Sequence, residues 1–416
     1  MDVRGATRSF ERVSIVVDTA TKEAPQREMG HCELFDRKIV YDNPFETIIP
    51  QIHQGPAAFY ADNISLNQPG WVVRKAADLR KIYADTEHFH KQGNTGFARM
   101  IGDDWDIIPT ELDPPVHTKF RKALNPIYSP SQMMKLNDRV KEQARVYIDQ
   151  FADKGECEFV RDFGLRFPIM IFLDLIGLPR DQVEQFLTWE KQLLHGTDHE
   201  ARITSVKAVK ELLIETIKDR KKNPGDDLIS KTMELEVDGR KWSDQEVFGH
   251  CFNLYLGGLD TVTANLGLHF YHLATHPEDQ AKMRSNTFEQ NVVAIEELLR
   301  AYAAVSTNRI VSKPFVLDGQ EMQPGDFVVM STPLAGRDPE AYENPQEVRL
   351  DRKPSHVTLG HSLHRCLGQH LARRELQCAI EEFLTVIPEF RVQEGYKVPF
   401  FLSNVIHIPE LPLTWS

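Results

Sequence analysis

Residues 358–375 read TLGHSLHRCLGQHLARRE, with one cysteine at the mouth of a helix-like run. The thiolate is the form of cysteine that binds metals, and a helix N-terminus favours its charge. LGQHLARREL begins beside Cys366, so backbone N–H groups there can point at the sulfur. Gly368 carries no Cβ, which permits close backbone approach. Zinc needs three or four ligands at set spacing, whereas here one cysteine follows His361 and His364 on an irregular loop. Read alone, the stretch fits either a metal-ligating thiolate or a buried free cysteine.

Other constellations carry chemistry at helical spacing. SDQEVFGHCFNLYLGGLDTVTANLGLHFYHLATHP, residues 243–277, opens on a Ser243/Glu246 capping box and runs to His276-Pro277. It predicts one helix of about 32 residues, roughly 48 Å long. Gly257-Gly258 in its middle cost about 1 kcal/mol each relative to alanine. Close approach of a ligand would compensate, and Asp260 beside Thr261 suggests proton handling. A glycine-softened contact with another helix is the alternative. Glu297 and Arg300 stand at i,i+3 among Val293, Leu298 and Leu299, as either a buried or an exposed ion pair. His117 and Arg121 stand at i,i+4 after Asp113-Pro114-Pro115. One histidine and one arginine on a face can grip a carboxylate or phosphate, or simply face solvent.

The elements that must position these residues are mostly helical. Residues 131–153 place Met134, Leu136, Val140, Ala144, Tyr147 and Phe151 at helical spacing. Residues 203–224 form another amphipathic run, stopped by Asn223-Pro224. After residue 305 the text turns to short strands joined by Asp-Gly and Pro-Gly turns. The cysteine stretch, one helix and a β-like tail follow. This predicts a mainly α fold with small β-sheets near both ends. No linker or repeat divides it, so residues 36–416 read as a single domain, and polar residues 1–35 as a loose segment.

Composition narrows the function. The chain has 61 acidic and 49 basic residues, a net charge of −12, which argues against nucleic acid as the main partner. No apolar run is long enough to span a membrane, and no signal peptide is visible. The five cysteines, at 32, 157, 251, 366 and 378, have no CxxC spacing. Scattered thiols in a long chain suggest a reducing, cytoplasmic setting.

Taken together and in this order, the features resemble the cytochrome P-450 family of haem-thiolate monooxygenases. GGLDTV (257–262), IPTELDPP (108–115) and HRCLGQHLARRE (364–375) are most similar to its bacterial camphor-hydroxylase branch. The resemblance covers roughly residues 40–416. It implies the family's single-domain fold, with haem b between the long central helix and the cysteine-loop helix. Cys366 would be the axial iron ligand, its thiolate favouring O–O cleavage, in a loop that includes Gly360 and Gly368. His364, His117, Arg121 and Arg309 would hold the propionates. Asp260 and Thr261 would deliver protons, and Glu297, Arg300 and Arg352 would form a buried network. The implied reaction is hydroxylation using O2 and two external electrons, since no flavin or ferredoxin domain is evident. The implied donor is a two-iron ferredoxin with an NADH-dependent reductase, docking near Arg121 and Arg365. A peroxide-driven relative would usually lack the acid–Thr pair. A haem sensor or carrier would show a regulatory domain or lack that pair.

Two departures stand out. Leu359 replaces the family's usual phenylalanine, and Ser362 replaces a usual glycine, which matters if that backbone needs positive φ. On the substrate side Trp105 stands where the camphor enzyme has a ketone-binding tyrosine; an indole N–H can donate but not accept. Asn253, Leu256, Gly257, Val305, Asn404 and Val405 match other pocket positions. The resemblance therefore implies an apolar, terpenoid-like or norisoprenoid ketone rather than camphor, with Trp105 as either donor or wall.

Overall fold

Caps set where the helices begin. Ser243 Oγ accepts from the Glu246 N–H at 3.2 Å, and Glu246 Oε2 accepts from the Ser243 N–H at 2.7 Å. This reciprocal pair satisfies two donors that a helix start leaves open. The computed structural model describes residues 28–65, 68–91, 96–196 and 198–416. In the long helix His199–Lys222, the Asp198 carboxylate accepts from the N–H groups of Glu200 and Ala201, and the helix ends at Asn223.

Two expected helices are each broken in two. The run over 131–153 forms Pro130–Met134 and Asn137–Ile148. Between them Lys135 and Leu136 donate to the carbonyls three residues back, a tightening that ends the first helix. The central run forms Asp244–Gly258 and Asp260–Thr275, hinged at Leu259 with φ −102° and ψ −73°. Gly257 and Gly258 make the break inexpensive. Thr261 Oγ1 donates to Gly257 O at 2.8 Å, a side-chain bond that competes with the backbone ladder.

The two strand-rich ends join in one sheet. Its order is Met29–Gly30, Ala58–Ser65, Gln68–Val73, Phe327–Ser331, Ser306–Val311, Phe89–His90. Phe327–Ser331 runs parallel to Gln68–Val73 and antiparallel to Ser306–Val311, placing Val328 opposite Arg309. Asp318 and Gly319, with φ 48° and 78°, close the hairpin between Phe315–Leu317 and Gln320–Met322, as a two-residue turn of positive φ should.

The segment expected to be loose lies outside the described residues as far as residue 27. Beyond that, Met29–Gly30 pairs with Tyr60 and Ala61, and Cys32, Leu34 and Phe35 are buried. The packed chain thus begins by Met29 rather than at 36, because three apolar side chains find core partners there.

The helix Gln369–Val386 packs on Asn137–Ile148, Phe288–Ala301 and Asp260–Thr275. Phe270 of the second central helix stacks on Phe159 at 4.0 Å and meets Phe383 edge-on at 4.9 Å. Burying such a ring is worth about 1.5–3 kcal/mol. This aromatic layer fixes the helix of Asp260 relative to the helix that follows Cys366. No described helix is long and apolar enough to cross a membrane.

Candidate active site

The cysteine loop is held by its own backbone. The Cys366 N–H donates to Leu359 O at 2.8 Å. Gly360 has φ 75°, and a Cβ added there would lie 3.1 Å from His364 O, so glycine is required. Ser362 has φ 57°, so a non-glycine residue does sit in the left-handed region, at a cost of about 1–2 kcal/mol. Gly368 has φ −80° and needs no special backbone. A Cβ at Gly368, or at Gly257 across the site, would meet no protein atom within 4 Å. Both positions therefore have open space beside their backbone, room that a flat group could use. Burial pushes the Cys366 thiol up, while the Gly368 N–H, Arg121 and Arg373 pull it down; bound iron would deprotonate it outright.

Beside the loop lies a cluster of cationic and imidazole groups. The rings of His117 and His364 are 4.0 Å apart. Both nitrogens of His117, Nε2 of His364 and one terminal nitrogen of Arg309 are buried without a hydrogen-bond partner among the described residues. Burial, Arg309, His117, Lys91 and Arg121 depress His364 to about 2. Burial, Arg121 and Arg309 depress His117 to about 4. Unsatisfied buried polar groups are costly, and these neutral imidazoles stand with unspent nitrogens beside the Arg309 and Arg121 cations, so the cluster fits a bound dianion such as the two propionates of haem. Arg121 also donates to Arg365 O at 2.8 Å. Lys91, depressed to about 7 by burial and Arg309, belongs to the same cluster. Its segment carries no motif, so nothing in the sequence pointed to it.

The opposite wall carries the acid and alcohol. Asp260 is 6% exposed, and its Oδ1 lies 2.9 Å from His195 Nε2. Thr261 follows at the hinge. Neither His195 nor its neighbour Glu190 was singled out from sequence.

Buried ion pairs hold the loop from behind. Arg300 donates to both oxygens of Glu297 at 2.8 Å, and Arg352 Nε donates to Glu297 Oε1 at 3.0 Å. The remaining Arg300 donors reach the carbonyls of Gly336, Pro345 and Glu347. A second network was missed: Glu296 accepts from Arg373 and pairs with His356 at 3.0 Å, while Thr358 Oγ1 donates to Leu299 O at 2.8 Å. It ties the start of the cysteine loop to the Glu297 helix.

On the substrate side Trp105, read as donor or wall, has its N–H engaged. The Trp105 indole N–H donates to Asp103 Oδ2 at 3.1 Å, and its ring packs edge-on against Phe248 and Phe252. The adjacent carboxylate captures the indole's only donor. Asn253 Oδ1 accepts from Thr110 Oγ1 at 2.6 Å. Asn404 spends its side-chain N–H on Ile64 O at 3.2 Å, and its backbone carbonyl accepts from the Ser306 N–H. Val305 and Val405 meet across an isolated β-bridge. Leu256 and Gly257 lie on the central helix beyond Asn253.

Residues 181–414 match the family model for cytochrome P450. A probable cytochrome P450 127A1 of Sinorhizobium fredii is 34% identical, over 87% of this chain and 87% of its own length. The chain belongs to the cytochrome P450 family. Among solved structures, P450 CYP101C1 superposes with a TM-score of 0.83 at 29% identity, covering 93% of this chain and 97% of its own. CYP101J2 superposes with a TM-score of 0.83 at 27% identity, covering 94% and 98%. The P450 fold expected from sequence is present, and with it a monooxygenase that binds protoporphyrin IX haem.

Proposed function

We propose that this P450 hydroxylates a small apolar ketone of terpenoid-like or norisoprenoid type, with electrons from a two-iron ferredoxin and its NADH-dependent reductase. The Thr110–Asn253 contact carries the substrate half. By accepting the Thr110 hydroxyl proton, Asn253 Oδ1 fixes the amide so that its N–H2 group, unpartnered among the described residues, serves as donor. Leu256, Val305 and Val405 supply apolar wall. One donor in an apolar pocket selects a ligand with one acceptor. Trp105, bonded to Asp103, closes the side of the pocket.

Cys366 would hold the haem iron, and His117, His364, Arg121, Arg309 and Lys91 the propionates. The haem supplies activation of O2 and insertion of one oxygen atom into a C–H bond. The chain orients the substrate through Asn253 and holds a proton between His195 Nε2 and Asp260 Oδ1. It then passes that proton toward the haem side at Thr261 Oγ1. Electron entry is placed at the thiolate face, where Arg121, Lys122, Arg365 and His370 line a concavity of about 620 Å³. A basic rim on a chain of net charge −12 suits a small acidic donor. The five cysteines are all unpaired, which supports a cytoplasmic setting.

Turnover under labelled O2 with a borrowed ferredoxin and reductase tests this reading. Cyclic ketones of graded size should give product carrying one labelled oxygen, and Arg365→Glu should slow the ferredoxin-driven rate at least several-fold. Oxygen consumption without hydroxylated product across the whole panel would reject the substrate class.

A further inference from the structure

The buried acid of the active site has a partner system of its own. Glu190 ends the helix Val183–Glu190, and the next turn, Lys191–His195, widens before the chain leaves at Gly196. Such wide turns re-aim side chains and recur at functional sites. A Cβ on Gly196 would lie 2.3 Å from Gln192 O, so glycine is what allows the turn to close. The result points His195 at Asp260, with Nε2 to Oδ1 at 2.9 Å. Glu190 is 4% exposed. One ligand-type atom from each of Glu190, His195 and Asp260 lies within 4.8 Å of the other two. The His195 side chain is 21% exposed against 9% for Asp260, so the imidazole links buried acid to solvent.

We propose that Glu190, His195 and Asp260 form one proton relay, with His195 as the entry and Glu190 as the group that sets the charge of the pair. This rests on Asp260 being the proton-handling acid. His195 takes a proton from solvent at Nδ1 and releases the one on Nε2 to Asp260 Oδ1. Asp260 passes it on, and a flip of the neutral imidazole brings its remaining N–H back to Asp260 before the next transfer. Each passage moves one proton and consumes no other reactant. The hydrogen bond between His195 Nε2 and Asp260 Oδ1 pairs the two groups with each other, which favours proton handling over metal binding.

The charges around the trio support it. Burial opposes the imidazolium, but the hydrogen bond and charge of Asp260, then Glu190, raise it above its ordinary value against Arg37. Burial and the Asp260 charge push Glu190 up to about 8 while His195 pulls it down, so its charge develops across the range in which His195 titrates. Arg37 donates to His195 O at 2.9 Å, Arg202 donates to Leu193 O, and the His407 ring lies 4.8 Å from that of His195. The Tyr255 hydroxyl, on the central helix, donates to Phe186 O at 3.0 Å.

The test is an NMR titration of the full-length, histidine-labelled protein, with the His195 signal assigned through His195→Gln. The wild-type imidazole should titrate above about 6.5, and Glu190→Gln should lower that midpoint by about half a unit or more. Product formed per electron consumed should then lose its pH dependence between about 6 and 8 in Glu190→Gln. A His195 midpoint at or below 6.5 that ignores Glu190→Gln would overturn the relay. It would do so without touching the ketone reading, because the titration needs no substrate.

Discussion

The rings of His117 and His364 lie 4.0 Å apart beside the cysteine loop, and three of their four nitrogens are buried without a partner among the described residues. Both imidazoles are held neutral by burial and the nearby cations, and with Arg309 and Lys91 in the same cluster their unspent nitrogens suit an anion. His117→Phe keeps the ring volume and removes the proposed propionate donor. A hydrogen bond to a charged group is worth about 1.5–3 kcal/mol. Haem loss to an excess of an apo-haemoprotein should therefore be roughly ten- to a hundred-fold faster. An unchanged rate would take His117 out of the cradle.

Ser362 tests the loop itself. Its φ of 57° carries strain that glycine would not. Ser362→Gly should raise the urea midpoint, by about 1 kcal/mol of stability. A lower midpoint would show that the hydroxyl contributes more than the backbone costs.

Glu297 holds Arg300 and Arg352 at once, and Arg300 and Glu297 are both fully buried. Removing one partner of a buried pair costs about 3–5 kcal/mol, because the other charge is left alone. Glu297→Ala should fold poorly or lose haem, and Arg300→Lys should fall between it and wild type in melting temperature. Equal melting temperatures for wild type and Glu297→Ala would contradict the network.

Glu296 makes acid stability specific. Burial would raise its carboxyl, but hydrogen bonds from His356 and Arg373 hold it at about 2. A depressed carboxyl stabilises the fold above its unfolded value, and that share is lost as pH falls from about 4.5 toward about 2. The melting-temperature gap between wild type and Glu296→Gln should be full at neutral pH and close across that window. A gap that does not change with pH would show that the pair adds no linked stability.

How much of this was legible follows from where each residue gets its meaning. Cys366, Glu297–Arg300 and Asp260–Thr261 lie in short local patterns, so sequence alone brought them forward. Gly360 and Ser362 could be questioned because backbone chirality is a local property. Lys91, Glu190 and His195 come from segments with no pattern, and only the tertiary fold brings them to the site. The helix break at Leu259 was hinted at by Gly257-Gly258, but one continuous period masked it. Trp105 was left as donor or wall, and Asp103, two residues away, takes its N–H. Side-chain partners are decided by rotamers that spacing does not reveal.

The most direct measurement is a titration of the ferric haem absorbance with matched cyclic ketones and their parent hydrocarbons, in wild type and Asn253→Leu. In wild type the ketones should drive the low-spin to high-spin shift at least about tenfold more tightly than the hydrocarbons, a preference of about 1–2 kcal/mol for one hydrogen bond. Asn253→Leu should erase that preference while binding the hydrocarbons as well or better. Equal ketone preference in both proteins would contradict Asn253 as the anchor, and no ketone preference in wild type would contradict the ketone itself.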